Sequence, residues 1–122
     1  MRFQTLLTIA GVLGVVFGLG FLFAPAAVLA RYAVTTDAAG LFMAQFFGAA
    51  LMQLALVFIF LRRVEDVAII KAIALGACAG ELLGLWVALR IQLGGQVSAM
   101  GWSTVAIYAL LSLGFARFVF GK

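Results

Sequence analysis

Histidine is missing from this 122-residue chain, cysteine and proline occur once each, and four acidic residues stand against eight lysines and arginines. Each shortage removes a class of function. Without histidine there is no His-based zinc site and no Ser-His-Asp triad. The four carboxylates, Asp37, Glu65, Asp66 and Glu81, are scattered along the chain, so neither a catalytic set nor a metal site is expected. Cys78 lies inside an apolar stretch with no second cysteine to pair with, which fits a small buried residue. Charged residues make up only 10% of the chain, too few for the surface of a water-soluble domain. The formal net charge of +4 does not point to nucleic acid, because the basic residues flank apolar blocks as membrane-surface anchors do.

What remains is hydrophobic: 67% of the residues, gathered in blocks too long for soluble helices. The first block, Thr5 to Ala24, ends at Pro25, whose ring cannot continue a helical ladder. Met1-Arg2, this block and Val28-Leu29-Ala30 have the order of a secretory signal, but the block is about 20 residues long, the length of a span rather than of a signal core. Ala26 to Tyr32 reads as a short interfacial segment. A second span runs over 38–61, opened by Thr36 or Asp37 as helix cap and closed by Arg62-Arg63. A third covers 67–91, with Glu65 and Asp66 at its positive end. After the turn Leu93 to Ser98, with Ser98 as N-cap, the fourth covers 99–120. In lipid every backbone polar group must be satisfied within its own segment, so the expected fold is all-α: a single domain over 1–122, a polytopic four-transmembrane-helix up-down-up-down bundle.

Loop charge sets the expected orientation. Arg2, Arg62, Arg63, Lys71, Arg117 and Lys122 fall on one side, Arg31 and Arg90 on the other, and positive charge accumulates in the cytoplasm. Both termini are therefore expected there, with Tyr32 and Trp102 in the outer aromatic belt. Lys71 and Arg117 lie near enough to the inner boundary to snorkel.

Helices in lipid associate through close backbone approach and interhelical hydrogen bonds. Gly14 and Gly18, with Gly11 near the same face, make a small-residue surface on the first span. Gly48 and Ala49 make a flat patch on the second, and Gly76, Gly80 and Gly84 form a stripe on the third. Glu81 stands apart as the one acid deep in a span, where a carboxyl group is costly and a functional candidate by default. Counting at 1.5 Å per residue, it lies roughly 3 Å outward of its span's centre, with Tyr108 at about the same level and Gln45 about one turn further out. Thr104, Tyr108 and Ser112 share a four-residue spacing, as do Gln45, Ala49 and Gln53. The expected candidate site is thus a polar layer of Glu81, Tyr108, Gln45 and Gln53. Glu81 either donates from its protonated form to Gln45, Tyr108 or a carbonyl and fixes helix register, or helps to bind a small hydrophobic or polar-headed molecule, or serves a proton or cation path. Arg90 is too far along the helix, and on the wrong face, to pair with it.

A glycine-rich first helix ending in phenylalanine and proline, Gly11-Val-Leu-Gly14 through Phe23-Ala24-Pro25, is followed by a helix with a Gly48-Ala49 pair and a basic end, Arg62-Arg63. In these features the chain resembles the small bacterial four-helix inner-membrane proteins grouped as DoxX-like. The resemblance implies the four-helix fold, a bacterial inner-membrane location and association with redox or other membrane complexes, without a defined activity. Small multidrug transporters are similar in length but carry their essential acid in the first helix, where this chain has none. The expected function is a non-catalytic accessory or scaffold subunit, associated with the bilayer and with other membrane subunits or further copies of itself, and not with nucleic acid. No cofactor is required by the sequence, although a quinone, pigment or lipid would suit a site near Glu81. The alternative is a minimal oligomeric transporter or channel built around that acid.

Overall fold

The computed structural model describes residues 1–121 and contains five helices: α1 (Phe3–Phe23), α2 (Pro25–Arg31), α3 (Ala38–Leu61), α4 (Val67–Leu93) and α5 (Gly101–Phe120). The protein is all-α, and α1, α3, α4 and α5 are each long and apolar enough to cross a membrane. It therefore has the helices of a multi-pass membrane protein. Lys122 lies outside the described residues.

Local chemistry explains most of the boundaries. Pro25 has no N–H to give, so α1 closes with the Ala24 N–H donating to Gly20 O, and the same proline begins α2, where a missing donor is harmless. Asp37 caps α3 by accepting from Gly40 N at 3.0 Å, while Thr36 packs over Gly40 instead of capping. Asp66 caps α4, its Oδ1 accepting from Ala68 N and Ile69 N. Ser98 is not the N-cap of the last span. Three successive tight bonds, Gly101 N to Ser98 O, Trp102 N to Ala99 O and Ser103 N to Met100 O, wind the chain from Ser98 into the first residues of α5, whose cap is Met100. Ser98 Oγ accepts from Met100 N at 3.4 Å within that turn.

The ends of α2 and α4 are built alike. Ala33 N and Val34 N donate to Ala30 O and Leu29 O, and Gly95 N and Gln96 N to Gln92 O and Ile91 O, the paired bonds of a Schellman stop. That stop needs a left-handed residue. Gly95 supplies it at φ 69° and Ala33 at φ 58°, the alanine at a cost of about 1–2 kcal/mol.

The chain divides into two compact units, Met1–Arg63 and Val64–Lys122. In the first, α1 and α3 run antiparallel along a ladder of small residues. A Cβ built on Gly11 would meet Ile59 at 2.8 Å, one on Gly14 would meet Ala55 Cβ at 2.9 Å, and one on Gly18 would come within 3.1 Å of Gly48 O. Gly48 itself faces Leu22 N at 2.8 Å and Gly18 O at 2.9 Å. Backbone meets backbone here, the contact that helices in lipid favour. Phe21 and Phe47 add an edge-to-face pair at 5.1 Å beside it. Large apolar side chains are left on the outer faces: Phe42, Phe46 and Phe60 on α3, Leu75 and Leu83 on α4, Leu110 and Leu113 on α5 are all exposed. Acyl chains, not water, are the solvent that matches them.

Candidate functional site

The second unit holds the acid. Buried Ala74 and Cys78, then half-buried Glu81, Leu85 and Ala88, recur at helical spacing and define the stripe of α4 that α5 covers. Glu81 is therefore in the seam of the α4/α5 hairpin, one residue from the middle of α4. One turn on, the glycine at 84 leaves space for an aromatic ring. A Cβ there would lie 2.6 Å from both Cδ1 and Cζ of Tyr108, so the Tyr108 ring rests on the α4 backbone next to the turn that carries Glu81. The structure thus sets Tyr108 against Gly84, one turn from Glu81.

Two further polar contacts continue the seam. Ser112, buried, donates from Oγ to Tyr108 O at 2.7 Å, and the Cys78 thiol donates to Ser112 O at 3.6 Å across the two helices. Cys78 is buried, as a small apolar residue would be, but it also makes this sulfur hydrogen bond. Its signal in the sequence was only a cysteine at the right level, with nothing to reveal that a carbonyl faces it. At the far end of the seam Gln92 Nε2 donates to Ser98 O at 3.3 Å, and Gln92 packs over Gly101, which ties the connecting turn to α4.

Gln45 and Gln53 belong to the first unit. Gln45 is half-buried and donates from Nε2 to Leu22 O at 3.1 Å, a carbonyl in the last turn of α1 that no helical N–H reaches because the ladder breaks before Pro25. Gln53 is exposed. The expected common face of Gln45, Ala49 and Gln53 does not hold together: eight residues of α-helix rotate by roughly 80°, enough to carry the second glutamine off the α1-facing side. Among the glycines, Gly14, Gly18 and Gly48 make the α1/α3 contact and Gly84 the α4/α5 contact. Gly76 and Gly80 take no part in the latter, because they lie off the 74–78–81–85 stripe; a Cβ at either would meet no described atom within 4 Å. Arg90 stacks on the Trp86 ring, 5.5 Å from its centroid, rather than reaching for the acid.

Comparison with protein families, with curated proteins and with solved structures finds no match.

Proposed function

We propose that the protein is a non-catalytic accessory or scaffold subunit of the bacterial inner membrane, both termini cytoplasmic, that joins other membrane subunits or further copies of itself. One observation carries this reading: two polar side chains of the apolar helices, Gln45 and Cys78, each donate to a carbonyl of a neighbouring helix. Gln45 closes the end of α1, while Ser112 and Cys78 link α5 to itself and to α4. The outer faces are apolar, and α4 adds a flat patch at Gly76 and Gly80. Such a molecule is suited to association within the bilayer. The position of Glu81 in the α4/α5 stripe, one turn from the glycine on which Tyr108 rests, supports an anchoring role for the acid, either for helix register or for a quinone, pigment or lipid headgroup.

Two measurements test the proposal. In a Cys78→Ala background, Gln96→Cys should react with a membrane-impermeant thiol reagent applied to whole cells and Glu65→Cys should not; the reverse pattern would invert the orientation. Glu81→Gln keeps size and hydrogen-bonding capacity but cannot ionise, so it should assemble and withstand heating like the parent. Glu81→Leu should lose the ~0.6 to 2 kcal/mol of an interhelical hydrogen bond in a membrane. A Gln variant that stays folded but abolishes a proton-coupled flux in liposomes would replace the scaffold reading with the transport alternative.

A further inference from the structure

The end of the first unit opposite to Asp37 carries an unbalanced positive charge. The antiparallel register, with Gly11 of α1 against Ile59 of α3, brings Arg2, the residue before α1, and Arg62 and Arg63, the residues after α3, to the same end. Counted along the helix axes from that contact, Arg2 lies about 8 Å beyond the other two, a separation that the long side chains can close. Asp37, the only acid between Met1 and Arg63, caps the far end of α3 through Gly40 N. The three arginines at this end therefore have no acid of the first unit beside them.

Arg62 is also held in place. It is half-buried, and its Nη1 donates to Ile59 O at 3.2 Å, a carbonyl of the last turn of α3, where the helix dipole favours a cation. One of five guanidinium N–H groups is engaged in this way, and the fork geometry of the rest suits two oxygens of a phosphate. The sequence predicts anchoring by basic residues in general; the fold adds a fixed guanidinium with a second beside it and a third further toward the water. Where the end of a membrane-spanning helix meets the bilayer surface, the anions of matching chemistry are the headgroup phosphates of lipids.

We propose that Arg62 and Arg63, assisted by Arg2, bind the headgroup phosphate of an anionic phospholipid at this end of the α1/α3 hairpin. The test uses the purified full chain, delipidated in mild detergent and titrated with phosphatidylglycerol or phosphatidylcholine under native mass spectrometry. The parent should prefer phosphatidylglycerol, and Arg62→Gln/Arg63→Gln should weaken its retention by about tenfold or more. Lys71→Gln/Arg117→Gln, which removes the same charge from the same expected side of the membrane, should retain it within about twofold of the parent. Equal weakening by both pairs would reduce the effect to general charge attraction and overturn the site, as would unchanged retention by the Arg62/Arg63 variant. Should that variant fail to fold, two measurements decide. Parent retention should fall sharply between 0.1 and 1 M salt, as the screening length shrinks from about 10 to about 3 Å, and Arg62→Lys/Arg63→Lys should keep the charge but lose part of the affinity with the fork. Salt-independent retention, or full affinity in the lysine variant, rejects the proposal.

Discussion

Gly48→Leu should abolish the α1/α3 hairpin. The α-hydrogen of Gly48 faces Leu22 N, Gly18 O and Phe21 Cβ, all within 2.9 Å of where a Cβ would sit. Two of these atoms belong to the backbone of α1 and cannot swing aside. A leucine forces the helices apart over the whole ladder from Gly11 to Leu22, so the loss should be about 3 kcal/mol or more, at or above the upper end for overpacked sites. In detergent the variant should lose its monodisperse peak or melt far below the parent. Gly80→Leu makes the comparison, since no described atom lies within 4 Å of its Cβ position; it should melt with the parent. A Gly48→Leu protein as stable as the parent would refute the backbone contact, and a collapse of Gly80→Leu would mean that another surface covers that face of α4 in the membrane.

Gly84 and Tyr108 should be strongly coupled. Even the single methyl of Gly84→Ala collides with the ring, and turning the ring away opens the α4/α5 seam next to the turn that carries Glu81. The expected cost is about 1–3 kcal/mol. Tyr108→Ala alone should also destabilise by leaving a gap on the α4 backbone. Combined, the two changes should cost less than the sum of the single ones, because the alanine methyl enters space that the ring has left. A double-mutant cycle in detergent reads this coupling directly, and additivity within about 0.5 kcal/mol would show that the two residues do not touch.

The parts of this fold legible in the sequence are those governed by the bilayer and by single residues. Apolar length located four helices, Pro25 stopped the first, and Asp37 and Asp66 announced two starts, because each of these effects acts within one turn of helix. The first-unit glycines were readable for the same reason: a small residue every three or four positions on an otherwise bulky helix marks where another backbone comes close. The third-span stripe illustrates the limit. Gly76, Gly80 and Gly84 look equivalent by spacing, yet which of them meets a neighbour depends on how α4 is rotated against α5, and only Gly84 lies under Tyr108. The partner of Gln45 was hidden likewise. Open carbonyls in the last turn of α1 follow from the break of the helix at Ala24 before Pro25, but nothing in the order of residues tells which side chain will reach which of them. The thiol of Cys78 meeting Ser112 O is a third such case, decided by interhelical register.

The charges on α4 carry a consequence for the membrane in which the chain can reside. At 27 residues the helix is about 40 Å long, well over the ~30 Å of hydrocarbon in a typical bilayer. Its lipid-compatible stretch is much shorter, because Lys71 and Arg90, both exposed, stand about 28 Å apart along the axis. The two cations act as rulers. Set across a bilayer, the segment between them would match ordinary hydrocarbon thickness with little tilt, leaving about one turn before Lys71 and three residues after Arg90 outside it, with the Arg90 guanidinium laid on Trp86. A bilayer several Å thicker would draw one cation below the headgroups or have to thin around the helix, each at a fraction of a kcal/mol per Å, so local membrane thickness bears on where this protein settles.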